Sequence, residues 1–167
     1  MQLLLLFLAL LFSSCIYAQE PARPGDARPP LLQALDGRWV MNGDVRGKPV
    51  RYTMLASPTL QATFTEMHML DVQVPPRYEA RVLIGFDAAS QSVIVHWLDS
   101  FGAKYSIPHA TGQITGATLG FTFPYPGGSF RDTLTYDKEH DCWTLQIEAA
   151  QPDGSWKHFA QYFIRRE

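Results

Sequence analysis

The chain has 167 residues, 46% of them hydrophobic and 18% charged, with a formal net charge of −2. That composition excludes a disordered chain, and the charge balance excludes the basic footprint of a nucleic-acid-binding protein. Two cysteines are too few for a disulfide-dense mini-protein.

Residues 3–12 are ten apolar residues in a row, followed by Ser13-Ser14-Cys15-Ile16-Tyr17-Ala18-Gln19. Such a run suits the core of a secretory signal and falls short of the about 20 residues that span a bilayer. The expectation is a signal peptide over 1–18 cleaved near Ala18, a secreted or periplasmic mature chain, and no membrane span. Phe12-Ser13-Ser14-Cys15 also resembles a bacterial lipobox, in which Cys15 would carry a lipid anchor. Either route leaves Cys142 without an intramolecular partner. Beside Trp143 it reads as an inert, half-buried strand residue.

Residues 20–30 hold four prolines, which fix φ and remove hydrogen-bond donors. This stretch is expected to be an exposed tether, followed by a short helical turn over 31–35, so that 19–35 links the leader to a domain at 36–167. Turn signals then recur at short intervals: Arg46-Gly47-Lys48-Pro49, 87–90, Thr111-Gly112, Tyr125-Pro126-Gly127-Gly128, 137–141 and Asp153-Gly154. Between them lie runs rich in Val, Ile, Thr and aromatics, predicted as strands at 38–42, 50–55, 60–69, 78–86, 91–99, 113–123, 130–136, 142–149 and 156–165, with a weaker tenth at 104–109. Phe130, Leu134 and Tyr136 share one parity, as do Trp143, Leu145 and Ile147, the pattern of strands with one face in a core. After Leu35 there is no sustained helical period, which excludes βαβ crossovers. The fold class is therefore all-β, a barrel or sandwich of short antiparallel strands.

Gly37-Arg38-Trp39 opens the first strand, and Phe163-Ile164-Arg165-Arg166 ends the last. A Gly-x-Trp entry with a basic residue closing the final strand resembles the calycins, the lipocalin and fatty-acid-binding-protein superfamily. The segments 78–87 and 96–102, with Phe130-Arg131-Asp132, are similar to the DUF1579 group, bacterial calycin-like barrels without an assigned function. The resemblance implies a single antiparallel up-and-down barrel of about 8–10 strands with a short N-terminal helical turn. In it Trp39 plugs the closed end, and Arg165 or Arg166 lies across the indole.

Candidate site residues follow from the strands. If Phe64 faces inward, Glu66 and His68 share its parity, and a buried carboxylate then needs a partner such as Arg51, Arg81 or Arg131. Arg51, Phe64, Glu66, His68 and Arg131, with His96 in the centre of the fifth predicted strand and Asp99 at its end, form the expected ligand-contacting set. The five histidines lack the spacing of a metal site, so no metal is expected. His96 would be the first candidate for an axial haem ligand, but a lone strand histidine is ordinarily just hydrogen-bonded, and no cofactor is expected. Gly-x-Ser-x-Gly and phosphate-cradling glycine loops are missing, and no catalytic residue is assigned. The expected function is binding of a small apolar ligand in the barrel, without nucleic-acid partners. The alternatives are a barrel isomerase or cyclase using His96 with Asp99 or Glu66, and a structural envelope domain tethered at Cys15.

Overall fold

The computed structural model describes residues 25–167. The expected signal peptide, its cleavage near Ala18 and the Cys15 anchor lie outside the described residues. A one-turn helix α1 (Pro30–Gln33) precedes β1 (Gly37–Val45), β2 (Lys48–Thr59), β3 (Phe64–Asp71), β4 (Glu79–Asp87) and β5 (Ser92–Asp99). After a 3-10 turn over Ala103–Tyr105 come β6 (Ala110–Thr115), β7 (Thr118–Phe123), β8 (Phe130–Asp137), β9 (Cys142–Ala150) and β10 (Trp156–Arg166). Each strand pairs antiparallel with its neighbours in sequence, and β10 returns to pair with β1. The result is a closed up-and-down barrel of ten strands, which leaves no free sheet edge.

Three strand predictions shift for local reasons. The run at 113–123 is not one strand. Gly116, at φ +60°, turns the chain between the paired Thr115 and Thr118, making β6 and β7. The weak strand at 104–109 is instead the 3-10 turn and its flanks, and Thr111-Gly112 lies inside β6. Likewise Leu60, Gln61 and Ala62 all have positive φ, so the chain turns there and β3 begins only at Phe64.

Inward side chains alternate along every strand and fill the barrel. Trp39, Met41, Met54, Met69, Leu119, Leu134, Trp143, Leu145 and Ile164 are fully buried. A packed core of this kind is the main favourable term in folding.

The closed end is sealed by α1, whose Leu32 is buried along with Leu35 just after it. The Trp39 indole N–H donates to the Leu35 carbonyl at 2.6 Å. The Arg166 guanidinium lies 3.8 Å above the centre of the indole, a cation–π contact. It also donates to the Asp36 carbonyl at 2.6 Å and to Asp141 at 2.9 Å. Gly37, at φ +133°, passes directly beneath that guanidinium, where a Cβ would collide with it. The glycine of Gly-x-Trp thus has a steric reason of its own.

The tether departs from the sequence reading at Arg28, which is buried rather than exposed. Its guanidinium donates to Asp26 and Asp36, each at 2.6 Å, and to Thr65 Oγ1 at 2.8 Å. A charge can be withdrawn from water only when it is paired in this way. The segment from Asp26 to Asp36 is therefore part of the closed end.

Candidate functional site

At the opposite end, the hairpins β1–β2, β3–β4, β7–β8 and β9–β10 and the long β5–β6 connection surround the mouth. Aromatic side chains form a nearly continuous ring inside it. Tyr162 lies 5.8 Å from Tyr52, centre to centre, and Tyr52 lies 5.4 Å from Tyr78. The Trp97 indole N–H donates to the Tyr78 hydroxyl at 3.1 Å, and Trp97 meets Phe123 edge-on at 6.4 Å. Phe123 stacks on Tyr125, which meets Phe130, which meets Phe159. Offset and edge-on geometries of this kind give packing beyond area burial. Tyr52, Phe123 and Tyr162 are buried, whereas Tyr78, Trp97, Tyr125, Phe130 and Phe159 are half-buried.

Within this ring stands Asp132. It lies on β8 between Phe121 of β7 and Ile147 of β9, with the same inward parity as Phe130 and Leu134. The residue is 3% exposed, and its Oδ1 has no hydrogen-bond partner among the described residues. Burial pushes its pKa up to about 8, because a lone carboxylate is poorly solvated there. At neutral pH it is mainly the carboxylic acid, able to donate or accept one hydrogen bond. Burial also raises the Tyr162, Tyr78 and Tyr125 hydroxyls.

The other acids at the mouth are satisfied. Asp71 accepts from the Gln73 and Arg77 backbone N–H groups. Asp99 accepts from the Phe101 N–H, and burial raises its pKa.

The residues expected to contact ligand fall elsewhere, with Asp99 the exception. On β3 the inward parity belongs to Thr65, Met67, Met69 and Asp71, so Phe64, Glu66 and His68 stand on the outer face. The reason is local: Phe64 covers Gly85 of β4 from outside, where a side chain on Gly85 would displace it. Glu66 pairs with Arg81, and His68 with Glu79 at 2.7 Å, both outside. Arg51 is exposed on β2. Arg131 pairs with Glu148 at 2.6 Å and lies 4.5 Å over Trp156, again outside.

His96 is exposed, its ring 5.8 Å from that of His109. It cannot serve as an axial ligand within the barrel, and the pair of His96 with Asp99 or Glu66 that the alternative enzyme reading needs is not assembled. Cys142 is half-buried, and His140 turns to Asp137 at 2.7 Å. Among the described residues no three metal-ligating side chains converge, and no helix is long and apolar enough to cross a membrane.

Sequence reading passed over Asp132 and the tyrosines of the ring. The signal was present: the period-two pattern that places Phe130, Leu134 and Tyr136 inside places Asp132 inside as well.

No family model matches the chain, and no curated protein matches it. Among solved structures, the crystal structure of Rv2717c from M. tuberculosis aligns with a TM-score of 0.58 at 13% identity, covering 83% of this chain and 98% of that one. At that identity the likeness shows the barrel fold alone.

Proposed function

We propose that this barrel binds a small molecule at its open end, inside the aromatic ring and against Asp132. The observation that carries the reading is the buried carboxyl whose Oδ1 lacks a partner. A buried polar group without a hydrogen bond costs about 1–3 kcal/mol, and a bound water, ion or ligand is one way such a cost is offset. The half-buried rim of Tyr78, Trp97 and Tyr125 supports access from this end. The proposed site is less purely apolar than the sequence suggested, with one polar group in an aromatic surround. Export through an N-terminal signal, and membership of the DUF1579 group, belong to the same proposal.

The four tryptophans supply the test, because they stand in four environments. Trp97 belongs to the ring, Trp39 to the closed end, Trp143 stacks on Tyr136, and Trp156 lies outside under Arg131. Titration with benzyl alcohol and related small aromatic fragments, followed by indole N–H signals in nuclear magnetic resonance, should move Trp97 saturably and leave Trp39 in place. Signals that move together, or a Trp97 signal that no fragment moves, would overturn the reading.

A further inference from the structure

Among the described residues the open half buries an acid and π-electron density but no basic side chain; Arg46 lies 5.0 Å over the Phe159 ring from the exposed β1–β2 turn. Among the described residues Arg28 is the one buried basic side chain, and it belongs to the closed end, held by Asp26 and Asp36. Arg51, Arg81 and Arg131 all stand on the outer face. A ligand carboxylate, such as that of a fatty acid, would therefore enter beside Asp132 without a counter-charge. A ligand cation would meet the opposite situation. Tyrosine, tryptophan and phenylalanine rings present negative faces, and among the described residues Asp132 offers the one side-chain oxygen that is buried and unpartnered.

We propose that the ligand is a small organic cation, an amine or quaternary ammonium, whose charge sits against Asp132 within the ring of Tyr52, Tyr78, Trp97, Phe123, Tyr125 and Tyr162. This inference rests on the small-molecule reading above and narrows it to a chemical class. Its chemistry is proton-linked. Burial favours Asp132 as the acid; cation binding favours the carboxylate, and the displaced proton passes to solvent.

The groups facing Asp132 do not complicate this exchange. Phe121 and Ile147, which flank Asp132 on the neighbouring strands, are neutral. The hydroxyls of Tyr125 and Tyr162, which feel the Asp132 charge, are raised further from neutrality by burial. Asp99 faces Tyr78 and Tyr125 across the ring, and its carboxyl is also raised by burial. A negative charge there would add to the attraction for a cation.

The test compares choline with dimethylbutanol, its uncharged isostere, on the full domain by the Trp97 indole signal. Choline should bind at least about tenfold more tightly at pH 8, the difference of one desolvated charge contact. Its affinity should fall by up to about tenfold per pH unit as the pH drops below the Asp132 value of about 8. Asp132→Asn should abolish both the preference for choline over dimethylbutanol and the pH dependence, with an unmoved Trp39 signal reporting an intact fold. Equal affinity for the two probes, or a choline preference that survives in Asp132→Asn, would overturn the cation assignment and leave the small-molecule site standing. Failure of both probes and of the aromatic fragments would remove the site itself.

Discussion

The two ends of the barrel are built on opposite principles. At the closed end every charged group named above is answered. Arg28 has two carboxylates and a hydroxyl, Arg166 has an indole face, a carbonyl and Asp141, and Trp39 donates to a carbonyl while fully buried. At the open end Tyr78, Trp97, Tyr125, Phe130 and Phe159 are half-buried, and Asp132 is buried without an answer for its Oδ1. The closed end also leaves one donor unanswered, the buried Trp143 Nε1, so the contrast lies in charge: the closed end pairs its charged groups, whereas the open end buries an acid whose Oδ1 has no partner. Native proteins concentrate such local inconsistencies at functional sites.

The sharpest way to break this contrast is at its stabilising pole. Trp39→Ala should lower unfolding free energy by about 3–5 kcal/mol, through lost burial and the cavity left behind, as read by urea denaturation. Trp97→Ala at the half-exposed ring should cost clearly less. Equal losses would show that the poles do not differ in stability.

Asp132→Asn should act in the other direction, raising stability at pH 7 by about 2–3 kcal/mol by removing a buried acid. The sign follows from the folded-state pKa of about 8 against the ordinary carboxyl value of 3.8. The folded state holds the proton more tightly, so the stability from this group is complete below about pH 4 and lost as the pH rises toward 8. The loss is at most about 1.4 kcal/mol per pH unit. The closed end has the opposite sign. The Arg166 hydrogen bond holds the Asp141 carboxyl below its ordinary range, so its contribution is present above the unfolded pKa and lost in acid. Thermal melts of the wild type and of Asp132→Asn across this range should diverge steadily from acid to neutral pH; parallel curves would remove Asp132 as the source.

Smaller effects refine the picture. Arg166→Ala should cost about 1 kcal/mol, since the guanidinium is partly solvated and its cation–π contact is worth about 0.5–2. It should also bring the Asp141 carboxyl back up, measurable by carbon-detected titration. Smallest of all is Arg81→Ala, which removes an exposed pair with Glu66 on the outer wall and should change stability by less than about 0.5 kcal/mol. A larger loss would show that the outer face of β3 matters more than its exposure implies.

The contrast was unevenly legible in the sequence. Trp39 and Arg166 could be placed at one pole because strand order alone brings the first and last strands together in a closed barrel. The inward parity of β8 and β9 could be read because their aromatic and aliphatic residues alternate cleanly. On β3 the alternation misled: Phe64 is a large aromatic on the outer face, while the inward positions carry Thr65 and Asp71 beside two methionines. Hydrophobicity therefore pointed to the wrong parity, and Glu66 and His68 were carried with it. Arg28 was hidden for another reason. Its partner Thr65 lies far along the chain, and no local pattern reports a contact of that range. Asp132 was visible by parity, yet an acid inside a core contradicts the rule by which cores are read.

The register between β1 and β10 joins Val40 to Arg165 and Trp39 to Arg166, so the first strand is completed by the last of the ten. Contacts separated so widely in the chain must wait for the intervening strands to order, which makes folding of such topologies slow. Until β10 arrives, β1 and β9 each present an unpaired edge, and Trp39 lacks the guanidinium above it. Shortening the final strand would therefore leave a curled, open sheet with two adhesive borders, prone to pairing with other copies of itself. The residues that cap the indole thus also decide when the molecule becomes safe from self-association.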